Sequence, residues 1–132
     1  MAGYRILLAH PERNRTFQQR SGRLAELVRR RTLVQVTTAS LVPSSRRHRS
    51  ARLGRALMKQ GLVHVLASDA HGPGARMGVA LRPAIEAARE AAGDRAGWML
   101  SHAPAAVLTG ETLPPPAPLP PRRHPLRAVP GR

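Results

Sequence analysis

Apolar residues along this chain alternate between short β-branched or aliphatic runs and longer stretches in which they return every third or fourth position. Residues 4–9 (Tyr-Arg-Ile-Leu-Leu-Ala) read as a strand closed by Pro11, which cannot donate to a ladder. From Thr16, a plausible N-cap, to Arg31, the positions Leu24, Leu27 and Val28 recur at helical spacing beneath a basic outer face. Leu33–Thr37 is short and β-branched, a second strand, and runs through Thr38-Ala39-Ser40-Leu41 to the breaker Pro43. Residues 46–60 fit a second helix with Leu53, Ala56 and Leu57 inward, and Gly61 is placed to end it. Residues 62–67 (Leu-Val-His-Val-Leu-Ala) make a third strand, stopped by Gly72, Pro73 and Gly74. Pro83 suits a first helical position, residues 84–92 continue the helix, and Gly93 stops it. Asp94 is placed to cap a short further helix through Leu100.

Strand and helix alternating at this spacing predict an α/β fold of parallel strands joined by right-handed crossover helices. Three strands leave two open parallel edges, so the pattern reads as part of a barrel. Residues 112–132 hold eight prolines and no acid. That composition predicts a disordered, partly polyproline-II tail behind a domain spanning 1–111.

Composition narrows the chemistry. The chain of 132 residues has no cysteine, which excludes disulfides, thiolate metal sites and a cysteine nucleophile. No apolar run is long enough to span a bilayer, and no basic, apolar, small-residue leader precedes the first strand. The expected location is cytoplasmic, with no membrane partner. Net charge is +15, from 22 basic residues of which only Lys59 is lysine, and a balance of that sign suits polyanions. Arginine is spread along the whole chain, however, and Tyr4, Phe17 and Trp98 are the only aromatic residues. Stacking platforms for single-stranded nucleic acid are therefore missing.

The candidate chemistry sits at Leu66-Ala67-Ser68-Asp69-Ala70-His71. Asp69 and His71 continue the parity of Val63, Val65 and Ala67, so an extended backbone would point both to one side, roughly 6.5 Å apart. Ligands in parallel α/β folds collect at strand carboxyl ends, where this pair would lie. On their own the residues admit plainer readings: Asp69 as a loop cap, His10 as a strand terminator, Arg13 and Arg76 as surface arginines. His64 lies on the opposite strand face and is expected to be a packed or hydrogen-bonded structural residue. His48, His102 and His124 have no partner at ligand spacing.

Taken together, Gly3-Tyr4, Ala9-His10-Pro11-Glu12-Arg13-Asn14, Val34-Gln35-Val36-Thr37 with Ser40-Leu41, Gly61-Leu62-Val63-His64, Ala67-Ser68-Asp69-Ala70-His71 and Gly110-Glu111 resemble, in order and spacing, the bacterial tyrosine-protein phosphatases of the PHP superfamily, the CpsB/CapC capsule type. The resemblance covers about residues 3–111. It implies a distorted TIM-like barrel of about seven βα units with a cluster of divalent metals, usually manganese, with iron or zinc as other divalent candidates, at the strand carboxyl ends. It implies hydrolysis of phosphotyrosine in a protein, typically a bacterial tyrosine kinase controlling capsule or exopolysaccharide synthesis. Carried over by position, His10, Asp69 and His71 become metal ligands, and Arg13 and Arg76 the guanidinium groups that grip phosphate. Those residue types suit such chemistry, since imidazole and carboxylate bind these metals and arginine meets phosphate with two parallel hydrogen bonds.

The sequence departs from the family pattern in three places. The His-x-His strand and further acidic ligands that open the pattern have no counterpart, leaving three of about eight ligands and roughly the carboxyl half of the barrel. Ala39 stands where a glycine is usual, and Pro43-Ser44-Ser45-Arg46-Arg47 replaces a Gly/Phe-containing loop. The expectation is therefore either a truncated or mis-started phosphatase, inactive alone, or a stand-alone half that completes its barrel with another polypeptide. Self-association through the open edges is expected in either case. Two other functions stay open: a PHP phosphoesterase acting on a small phosphate ester, as in histidinol phosphatases, and a non-catalytic basic protein that holds polyanions.

Overall fold

The computed structural model describes residues 4–42, 48–72 and 76–120, without the side chains of 76–80. Its strands are β1 (Leu7–Ala9), β2 (Leu33–Thr37) and β3 (Val65–Ala67), all parallel, in the order β1-β2-β3. Leu7 pairs with Leu33, and Gln35 with Val65. The α/β reading with parallel strands and crossover helices holds. On the central strand Val34 and Val36 are fully buried on one face.

Helices α1 (Arg15–Gln19), α2 (Gly22–Arg29), α3 (Arg49–Lys59), α4 (Arg76–Ala92), α5 (Arg95–Gly97) and α6 (Ala103–Thr109) surround the sheet. A π-helical stretch, Trp98–His102, runs between α5 and α6. Leu24 from α2, Leu57 and Met58 from α3, and Met99 from the π turn close the core with Val63. Each such fully buried side chain contributes about 1.5–3 kcal/mol.

Several local expectations change. The strand expected over residues 4–9 keeps only Leu7–Ala9, because its first residues are left uncovered: Tyr4 and Ile6 are 92% and 63% exposed. The single helix expected from Thr16 is two helices broken at Arg20 and Ser21, where serine and glycine in succession let the chain turn. Its cap is Asn14, whose side chain accepts from the backbone N–H groups of Thr16 and Phe17 at 2.9 and 3.4 Å. Helix α3 starts at Arg49, and Arg46 and Arg47, expected in its first turn, lie outside the described residues. Its Leu53 and Leu57 do face inward, and Gly61 ends it at φ 71°.

Pro83 does not open α4 but lies inside it, seven residues after its start. One proline removes a single i→i−4 bond, and the packing of α4 on α3 outweighs that loss. Gly93 stops α4 at φ 59°, as expected. Asp94 precedes α5 but makes no side-chain capping bond.

The proline-rich segment also differs from the loose tail expected. Residues 111–120 have no regular secondary structure, yet Leu113 and Leu119 pack against the core, and Trp98 Nε1 donates to the Pro114 carbonyl at 2.9 Å. The rest of the expected tail, residues 121–132, lies outside the described residues.

His64 holds the amino ends of β2 and β3 together. Its backbone N–H donates to the Val34 carbonyl at 2.9 Å, and its Nδ1 accepts from the Val34 N–H at 3.1 Å. The ring must therefore be neutral, and burial together with the Arg95 guanidinium lowers its pKa to about 4. The unfolded chain then takes up a proton on this histidine below about pH 6.5 while the folded chain does not, so stability falls between pH 6.5 and 4. The expected loss is about 2 kcal/mol, reduced from the full value of such a shift because the ring is only partly buried. Thermal melts of the chain and of His64→Gln between pH 7 and 4 check this: the substitution should flatten the pH dependence.

Candidate active site

Both sequence-predicted loops emerge at the carboxyl ends of the strands. After β1, His10 turns the chain at φ 37° and ψ 48°, and Pro11–Arg13 forms a 3-10 turn. After β3, Asp69 lies at φ 55°. The extended backbone expected to carry Asp69 and His71 in strand parity therefore ends at Ala67, and the left-handed residue redirects Ala70 and His71. Among the described residues only His10, Arg31 and Asp69 are non-glycine residues with positive φ. Such backbone costs about 1–3 kcal/mol per residue and persists where the surroundings hold it, often at functional sites.

The two loops meet. Arg13 Nη1 lies 3.7 Å from Asp69 Oδ2, with the arginine half-exposed and the carboxylate mostly covered. His71 Nδ1 is 2.7 Å from the Asp69 carbonyl, so its N–H donates there, and in the neutral ring with that tautomer Nε2 carries the lone pair. Metal-binding histidines are oriented by just this kind of bond. His10 and Arg13 line an open groove of about 280 Å³ with Leu8, Ala9, Pro11, Asn14 and Phe17. The backbone of Arg76 opens α4, and its side chain lies outside the described residues. Among the described residues, no three His, Asp or Glu side chains gather within reach of one metal ion. His10, Asp69 and His71 thus have the donor types for a divalent cation, and a full coordination shell needs further donors.

One residue of the site region has no counterpart in the sequence reading. Glu12 is completely buried, although it stands between a proline and an arginine on a surface loop. Its Oε1 accepts from the Thr37 N–H at 3.1 Å and from Ser40 Oγ at 3.0 Å, while Oε2 has no partner among the described residues. Gln18 Nε2 donates to the Glu12 carbonyl at 2.8 Å. Glu12 therefore ties the loop after β1 to the carboxyl end of β2, and so fixes where its neighbours His10 and Arg13 stand. The available signal was its place within His10-Pro11-Glu12-Arg13; nothing in that motif announces burial.

A sequence profile of the family described as capsular polysaccharide synthesis, CpsB/CapC, matches residues 1–109. The chain belongs to the CpsB/CapC family. Among its relatives, tyrosine-protein phosphatase YwqE of Bacillus subtilis strain 168 is 37% identical over 71 residues, 54% of this chain and 28% of YwqE. CapC of Staphylococcus aureus is 36% identical over 69 residues, 52% of this chain and 27% of CapC. The fold is also similar to a crystal structure reported with YwqE and with CpsB of Streptococcus pneumoniae, both described as metal-dependent tyrosine phosphatases. That match has a TM-score of 0.70 at 30% identity, over 89% of this chain and 48% of the other. This CpsB/CapC member thus spans about half of its structural relative, and the matched regions are just over a quarter of the two curated proteins.

Proposed function

We propose that this chain carries the carboxyl-half site of a metal-dependent protein-tyrosine phosphatase. The observation that carries the reading is the meeting of two loops at the carboxyl ends of β1 and β3, with His10 and Asp69 on left-handed backbone and Arg13 reaching Asp69. The names of the relatives give the reaction class. His10, Asp69 and His71, which the described geometry does not gather around one ion, are assigned as donors to divalent metal, manganese first with iron or zinc as alternatives, in a shell completed by further donors. Bound there, the metal supplies Lewis acidity toward the phosphoryl oxygens.

The chain's own residues do the rest. Arg13 grips the phosphate through its guanidinium, and Arg76 is assigned the same role. Leu8 and Phe17 give the groove beside His10 an apolar wall against which a phenyl ring can lie. Water is assigned as the nucleophile, with no phosphoenzyme: its oxygen bonds to phosphorus as the bond to the tyrosine oxygen breaks, and the released proton goes to the leaving phenolate. The wider reading is a PHP-type distorted barrel of which these strands form part, completed by a second copy or another polypeptide. Its substrate is a phosphorylated bacterial tyrosine kinase in the cytoplasm, in the control of capsule synthesis. Among the described residues no helix is long and apolar enough to cross a membrane.

Phosphate release from a phosphotyrosine peptide, with and without manganese, tests this beside small phosphate esters. Manganese-dependent release that favours the peptide is expected. Equal or better turnover of small esters would move the substrate class to those esters, and no release above the metal-only blank would show that the chain alone does not catalyse the reaction.

A further inference from the structure

The opposite end of the sheet carries a second built surface. Gly61 and His64 precede β3, and Arg5 precedes β1, so the amino ends of the strands gather here, away from His10 and Asp69. Arg5 Nη2 donates to the carbonyls of Gly110, at 2.8 Å, and Glu111. Trp98 Nε1 donates to the Pro114 carbonyl. Arg95 lies with its guanidinium carbon 5.4 Å from the centre of the Trp98 ring and donates to the Gly61 carbonyl at 3.0 Å. The Arg95 Nε is buried with no partner among the described residues.

Two glycines form the floor. A Cβ on Gly61 would stand 3.1 Å from Leu119 Cδ1, and one on Gly93 3.5 Å from Pro120 Cδ. Both have positive φ, so the floor is free of side chains where the segment crosses it. The occupant is chemically matched. Residues 111–120 (Glu-Thr-Leu-Pro-Pro-Pro-Ala-Pro-Leu-Pro) have few N–H groups and many carbonyls outside any ladder. An indole donor beside a floor free of side chains suits an extended proline-rich segment, whose carbonyls have no ladder partners.

We propose that the surface formed by Trp98, Arg95, Gly61 and Gly93 is a binding site for an extended proline-rich segment. In this chain it is filled by Leu113 to Pro120, which acts as a releasable strap and not as part of the core. The proposal is independent of the phosphatase reading. Both leucines of the strap are only partly buried, and the hydrogen bond described between strap and domain runs from the Trp98 indole to the Pro114 carbonyl.

Trp98 is the only tryptophan, so its fluorescence reports this site alone. Leu119→Lys places a cation beside Arg95 and should expel the strap. The variant is expected to keep its far-ultraviolet circular dichroism and to show red-shifted Trp98 emission. A synthetic peptide of residues 112–120 should reverse the shift saturably, and the same peptide with both leucines replaced by serine should not. Unchanged emission in Leu119→Lys, or no response to the native peptide, would overturn the proposal. Should Leu119→Lys fail to fold, urea unfolding of the unaltered chain decides. Trp98 emission changing at lower urea than the circular dichroism supports a strap that opens by itself; coincident transitions place it in the core and overturn the proposal.

Discussion

Asp69→Asn is expected to weaken manganese binding by at least about 100-fold, while the metal-free chain melts within a few degrees of the unaltered one. The magnitude follows from what lesser changes do: removing a group that only orients a ligand costs about 10- to 100-fold in affinity, and the ligand itself can cost no less. The small effect on melting follows from the backbone. Asparagine is, after glycine, among the residues that best tolerate φ near 55°, so the fold loses only a partly exposed ion pair with Arg13. Asp69→Ala would add about 1–2 kcal/mol of left-handed strain and confuse the two effects. Titration calorimetry with manganese, beside melts in chelator, separates them. Equal manganese affinity in Asp69→Asn and the unaltered chain would remove Asp69 from the ligand set.

The second large effect belongs to Glu12. Glu12→Ala should destabilise the chain by about 3 kcal/mol or more, because it strands the Thr37 N–H, removes the bond from the Ser40 hydroxyl and empties a buried volume. Glu12→Gln should cost about 1 kcal/mol or less. Its amide oxygen can still accept both bonds, and the burial cost of a charge disappears. Urea unfolding of the two variants tests the contrast. Equal losses would mean that the carboxylate charge or its second oxygen, and not the filled volume and the two accepted bonds, accounts for the role of Glu12.

What the sequence made legible was set by local rules. The β-branched run Leu33–Thr37 and the glycines at 61 and 93 are where they were expected, because strand propensity and positive φ are decided within a few residues. The break after Arg20, the interior Pro83 and the cap at Asn14 were not foreseen. In each, packing or a one-residue choice of hydrogen-bond partner outweighed propensity. Glu12 shows the limit most clearly. A glutamate reads as solvated, and only a partner 25 residues away makes it interior. The proline-rich segment fails for the same reason: its composition rules out a ladder, yet says nothing of a distant indole that can donate to its carbonyls. Of the candidate site, His10, Arg13, Asp69 and His71 fall on loops at one end of the sheet, and Arg13 reaches Asp69. The turn at Asp69 that breaks the expected parity was not foreseen, since aspartate tolerates left-handed backbone better than most side chains but does not require it.

That backbone also shapes how the chain would respond to breeding for robustness. At positions 10 and 69 the native histidine and aspartate tolerate their conformations less well than glycine or asparagine, either of which would relax both. A screen that rewards heat resistance alone would therefore draw the chain toward just those replacements. It would collect a sturdier scaffold and discard, one position at a time, the donors that give the carboxyl end of the sheet its chemistry.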